Sequence, residues 1–260
     1  MRSVMMRRRL VFYGAALLTV AGAASTAFAA DDALWNALLT RHVKEGRVDY
    51  RALLTERAAL TQYLAGVAAT DPSALPTPAS RLAFWINAYN ACVFDSVLER
   101  YPLRSVRDVR GFFDGIRHRV AGRELTLNEI EREVRNAGDW RIHFAIVCAS
   151  ASCPPLRAEA YAADRLDAQL AEQIGGFLRD AGHGLRIDGG TLWLSKIFDW
   201  YAADFTAHGR GFFRTVTPAS LAVLLGPLLE PHTAETLAAA PLRVKFLPYD
   251  WSLNAYVSTP

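Results

Sequence analysis

The sequence predicts an α+β fold, a mainly antiparallel sheet packed with helices around one long buried central helix. Three patterns carry that expectation. The run from Ala79 to Arg100 is apolar on most of its circumference, which marks a central helix. Two segments, 116–125 and 185–195, read as strand–turn–strand, with turns at Ala121-Gly122 and Gly189-Gly190. The strands come partly in hairpins and partly isolated between helices, against a doubly wound parallel sheet.

The elements follow in order. Trp35, Leu38, Leu39 and His42 keep helical spacing until Gly46 breaks it, and Asp49-Tyr50-Arg51 opens a second helix through Leu53, Leu54, Leu60 and Leu64. Three prolines between Asp71 and Pro78 mark a loop before the central helix. Thr126-Leu127-Asn128-Glu129 is a capping box for a helix carrying Ile130, Glu131 and Val134. The apolar run from Arg141 to Cys148 reads as a buried strand ending in a small-residue turn closed by Pro154 and Pro155. A helix is expected from about Ala158 to Arg179. After the second hairpin, Ser195 is placed to cap the helix KIFDWYAADF. Helices near 218–228 and 233–239, a strand in LRVKFLP and a terminal turn YDWSLN complete the chain.

The N-terminus reads as a secretory signal peptide over residues 1–29. Arg2 and Arg7 to Arg9 form a basic region, Leu10 to Ala24 is apolar and small, and Ala27-Phe28-Ala29 is an A-x-A cleavage site. The mature chain then spans 30–260 as a single domain of 231 residues (260 − 29), periplasmic or secreted. It has no later apolar run long enough to span a bilayer. The leader removes four arginines and no acid, leaving 25 basic residues (29 − 4) against 26 acidic ones, a net charge of −1. That balance gives no electrostatic case for nucleic acid or anionic lipid. The expected partner is a small molecule or peptide, and no cofactor is expected.

The chemistry centres on RIHFAIVCASASCPPL, Arg141 to Leu156. A cysteine nucleophile needs a thiolate, a base and an oxyanion hole. Cys148, Cys153 and His143 supply the first two kinds of group, so the leading expectation is a pocket for thiol-dependent hydrolase or acyl-transfer chemistry, with a non-catalytic binding module as the alternative. On a straight strand His143 and Cys148 face opposite sides, so Cys153 on the returning loop is the better partner for the histidine. Asn87 and Asn90 lie three apart on the central helix, where a buried amide needs a partner. They either tie down a neighbouring loop or face a pocket and offer an oxyanion donor. A structural Cys148–Cys153 disulfide is the competing reading, favoured by export and five-residue spacing. Zinc on Cys148, Cys153, His143 and His183 is the third, though no H-x3-H or second cysteine pair supports it. Cys92 reads as a buried free thiol. Asp199, Asp204 and Asp250 sit among aromatics, as lining of a ligand site or as partners for arginines.

FWINAYNA at 84–91, RIHFAIVCASASCPPL at 141–156, LSKIFDWYAADF at 194–205 and YDWSLN at 249–254, with GRVDY at 46–50, resemble the domain of unknown function 547 family over roughly residues 34–255. The resemblance implies that Asn87, Asn90, His143, Cys148 and Cys153 are the typical polar positions of bacterial members, with Glu131 an acid of the preceding helix. The histidine that often follows that acid is Arg132 here. Plant relatives often lack the second cysteine, which makes Cys148 the better single candidate. The resemblance implies no activity.

Overall fold

The computed structural model describes residues 21–207, 216–239 and 241–257, with side chains from Asp32 onward. Most of the expected leader lies outside the described residues. Helix α1 (Ala21–His42) runs across the expected cleavage point, and its packed residues, Trp35, Leu38 and Leu39, all follow it. No described helix is long and apolar enough to cross a membrane.

A two-stranded hairpin, β1 (Val43–Lys44) and β2 (Arg47–Val48), follows where only a helix break was expected. Glu45 and Gly46 both take positive φ, the mirror-image turn that suits a tight hairpin. Asp49 then caps α2 (Tyr50–Leu53) by accepting from the Ala52 amide, and α3 (Arg57–Ala69) continues. The central helix α4 (Pro78–Leu98) starts with a capping box between Thr77 and Ser80 and Pro at its first position. Seventeen of its residues are buried, so it is enclosed as its pattern predicted. Trp35 stacks on Tyr63 of α3 and meets the edge of Phe94 of α4. Each such fully buried aromatic contributes at least about 2–3 kcal/mol from burial alone.

The expected hairpin at 116–125 forms as β3 (His118–Val120) and β4 (Arg123–Leu125). The capping box then opens α5 (Leu127–Arg135) as its spacing predicts. After α6 (Leu166–Leu178), β5 (Leu185–Asp188) and β6 (Thr191–Leu194) make the second hairpin. The last strand, β7 (Arg243–Phe246), joins β6 in parallel, so this sheet is mixed. Between them lie α7 (Ile197–Trp200), α8 (Ala202–Ala207), α9 (Pro218–Leu225) and α10 (Pro231–Ala239). The predicted helix 196–205 is broken at Tyr201 into α7 and α8. Small antiparallel sheets packed with helices match the predicted class.

Two expectations are corrected. Arg141 to Cys148 is not a strand. Residues Trp140–Phe144 form a 3₁₀ turn, capped by Asp139 accepting from the Arg141 amide, and the chain runs on without a sheet partner. An apolar run reads as a strand because buried backbone needs partners, but side chains can supply them. Here Asn90 of α4 accepts from the Val147 amide at 2.9 Å and donates to the Ala145 carbonyl at 3.0 Å. The helix expected from Ala158 begins only at Leu166, for the same reason. Asn87 accepts from the Tyr161 amide and donates to its carbonyl, Asn36 accepts from the Ala160 amide, and Gln169 holds Ala160 and Ala162. Amide side chains replace the helical ladder over this stretch.

Two apolar clusters result. One surrounds α4, and the other gathers α6, β5 to β7, α7 and α8. The segment 140–147 stitches them, since Ile142 and Ala145 belong to the first and Phe144 to the second.

Candidate functional site

A cavity of about 670 Å³ opens where the two clusters meet. Tyr89 of α4, the 106–114 loop and Glu131 of α5 form one wall. Trp200 and Tyr201, and Tyr249 and Trp251 of the C-terminal segment, line the rest of it. Cys148 and Cys153 lie in its surface together with His143.

The cysteine loop is fixed from several directions. Residues 249–256 run alongside it as a strap. Ala151 and Ser152 amides donate to the Ser252 and Asp250 carbonyls, the Asn254 amide donates to the Ala149 carbonyl, and the Asp250 amide donates to the Ser152 hydroxyl. On the far side, Gly46 of the first hairpin presses on Pro155 and accepts from the Leu156 amide at 3.0 Å. Within the loop Ala149 is held at φ 60°, a strained value for a residue with a Cβ. Cys148 and Cys153 form a disulfide. Cys92 is the free cysteine, buried in α4, and burial pushes its thiol far up.

His143 is buried, with its ring stacked on Tyr201 at 4.0 Å. Its Nε2 meets Asp204 Oδ2 at 2.8 Å, and Arg135 grips both oxygens of the same carboxylate at 2.8 and 2.9 Å. The His143 hydrogen bond and then Arg135 hold the Asp204 carboxyl far below the usual carboxylate range. Asp204 is therefore ionised at neutral pH and only accepts, so His143 Nε2 carries a proton. Its Nδ1 is buried with no hydrogen-bond partner among the described residues. Glu131 takes the Tyr201 hydroxyl as a hydrogen-bond partner, which adds to burial in pushing that phenol up. Burial also pushes the Tyr249 phenol up to about 12, so it remains a donor at neutral pH.

Of the six positions the sequence singled out, His143, Cys148, Cys153 and Glu131 line the cavity. Asn87 and Asn90 do not; both sides of each amide are spent on backbone. Asp204 appeared in the sequence as an acid among aromatics, and it is both partner to an arginine and anchor of His143. Asp199 instead pairs with Lys196 on the surface. Trp200, Tyr201, Tyr249 and Trp251 are the contributors that the sequence did not reveal. The one available signal was aromatic density in DWY and YDW, which reads equally well as core. Trp200 is 46% exposed, and its ring lies 4.7 Å from Tyr249 and 5.7 Å from Trp251. No group of three or more His, Cys, Asp or Glu among the described residues is placed to hold a metal.

Residues 73–178 match the family model described as "Protein of unknown function, DUF547". This chain carries a DUF547 segment. That segment contains Asn87, Asn90, Glu131, His143 and the disulfide. The rest of the cavity wall, Ile197, Trp200, Tyr201, Tyr249 and Trp251, lies outside the matched DUF547 residues. No curated protein and no solved structure matches the chain.

Proposed function

We propose that the protein is an exported binding module that takes a small molecule or peptide with an apolar body in the 670 Å³ cavity. The observation that carries this reading is the wall itself: three clustered aromatics, Trp200, Tyr249 and Trp251, face a concave space that also holds a few polar groups. Binding cavities combine mainly apolar lining with few convergent polar groups in this way. Arg107 stands over the Trp251 ring, and with Arg110 it offers exposed positive charge at the rim; neither makes an ion pair among the described residues. Hydrolase or acyl-transfer chemistry through Cys148 or Cys153 requires a free thiolate, and the disulfide occupies both sulfurs. The A-x-A sequence at Ala27 to Ala29 and the disulfide both support action outside the cytoplasm.

Titration with 8-anilinonaphthalene-1-sulfonate tests this. Its ring system suits the aromatic wall and its sulfonate suits Arg107 and Arg110. The expected result is saturable binding at one site that Trp200→Ala weakens about tenfold or more, the loss of one large aromatic contact. Equal binding by the wild type and a Trp200→Ala, Trp251→Ala double variant overturns the reading.

A further inference from the structure

The two sulfurs of the disulfide stand in different surroundings. Cys148 Sγ lies 3.0 Å from the Ser150 hydroxyl and 3.3 Å from the Tyr249 hydroxyl, and those hydroxyls are 2.8 Å apart. A disulfide sulfur has no hydrogen, so the hydroxyls donate. One of the two protons lies between the hydroxyls, and the other reaches Cys148. Cys153 Sγ has one donor within reach, the Cys148 amide at 3.0 Å, whereas two hydroxyls stand within reach of Cys148 Sγ for a charge that develops there. Access differs in the opposite sense. Cys148 lines only the larger cavity. Cys153 lines that cavity and also a second one of about 280 Å³, whose wall carries Arg47 and Glu45 and the His183–Asp180 pair. In thiol–disulfide exchange the attacking thiolate approaches one sulfur, and the other sulfur departs as a thiolate. A better-solvated departing thiolate leaves faster.

We propose that Cys148–Cys153 is a thiol-exchange centre for a dithiol partner, attacked at Cys153 from the smaller cavity with Cys148 as the leaving sulfur. A new S–S bond forms between the attacking thiolate and Cys153. The old S–S bond breaks, and its electron pair stays on Cys148 Sγ as a thiolate, to which the Ser150 and Tyr249 hydroxyls, both within reach, turn to donate hydrogen bonds. The partner's second thiolate then attacks its own sulfur in the mixed disulfide and releases Cys153 as a thiolate. The partner dithiol is oxidised by two electrons to a disulfide, the Cys148–Cys153 disulfide is reduced to two thiols, and the two protons lost by the partner balance the two gained by the cysteines. Ser150 and Tyr249 act as leaving-group donors. This activity does not depend on the ligand reading of the larger cavity, although it alters one wall of it.

The test uses the oxidised full chain and 2-mercaptoethanol, a monothiol small enough to enter. The reaction is stopped by acid and alkylated with N-ethylmaleimide, and fragmentation mass spectrometry locates the labels between Arg141 and Arg157. The expected product carries mercaptoethanol on Cys153 and maleimide on Cys148, by about tenfold over the reverse, and unfolding in urea abolishes the preference. Reduction of the native chain by dithiothreitol is expected to slow about tenfold in Ser150→Ala, the loss of one hydrogen bond to a developing charge, and less in Tyr249→Phe. Mercaptoethanol found chiefly on Cys148, a disulfide that resists thiols until unfolded, or unchanged rates in both folded variants overturns the proposal.

Discussion

Asn87 and Asn90 on one side, and His143 on the other, are all polar, all buried, and all part of the same sequence pattern. Their bonding separates them. Each asparagine spends its donor and its acceptor on the backbone of a loop that has no secondary structure of its own. His143 spends one nitrogen on Asp204 and leaves the other with no hydrogen-bond partner among the described residues, beside a cavity. Satisfied amides of this kind are scaffold, because removing them strands buried backbone groups. An unsatisfied one beside a cavity is a candidate for contact with something that enters. Burial of polar residues therefore does not by itself mark a site; the state of their hydrogen bonds does.

The sharpest way to break this comparison is to remove one member of each kind. Asn90→Ala leaves the Ala145 carbonyl and the Val147 amide buried and unpaired, and is expected to cost about 2–5 kcal/mol in urea unfolding. His143→Phe keeps the ring stack on Tyr201 and removes the unpaired nitrogen, while Arg135 still holds Asp204. Its expected cost is about 1 kcal/mol. Equal losses in the two variants dissolve the distinction. Gly46→Ala comes next in size. Its Cβ would stand 2.3 Å from Cβ of Pro155, at a φ of +74°. Overlap and strain together are expected to cost about 2–4 kcal/mol, read from the same unfolding curves.

Acid stability probes the histidine side alone. The His143 and Arg135 contacts depress the folded pKa of Asp204. A depressed carboxylate contributes stability that is fully present above its unfolded value of about 3.9 and is lost as pH falls through the folded value. Asp204→Asn is therefore expected to lower the melting temperature at neutral pH and to flatten its decline below about pH 4. A variant whose acid decline matches the wild type shows that other carboxylates dominate there.

Much of this arrangement was legible in the chain. The capping box at Thr126 and two tight turns fixed α5 and both later hairpins, because those signals act within four residues. The enclosure of α4 followed from its all-round apolar pattern. The Arg141 to Cys148 segment was misread because apolar content reports burial and not the source of the backbone's hydrogen bonds. Asn90 lies 57 residues from Val147, and nothing local announces that bond. The cavity's aromatic wall was hidden for a related reason. Trp200 and Phe198 share one short helix, yet Phe198 is fully buried and Trp200 is half exposed, and only the approach of Tyr249 and Trp251 from the C-terminal segment decides which residue lines a site.

The smallest expected effect isolates what holds the cysteine loop from below. Gly122 occupies the same turn position in the β3–β4 hairpin as Gly46 does in the first, with a φ of +72°, but an added Cβ there meets nothing within 4 Å. Gly122→Ala thus carries the left-handed strain without the collision, about 1–2 kcal/mol. The excess cost of Gly46→Ala over Gly122→Ala measures the contact between the first hairpin and Pro155, cleared of backbone strain. If that contact braces the cysteine loop, Gly46→Ala also speeds reduction of Cys148–Cys153 by dithiothreitol, and Gly122→Ala leaves that rate unchanged. Equal reduction rates in the two variants would assign the positioning of the loop to the C-terminal strap and Asn90 instead.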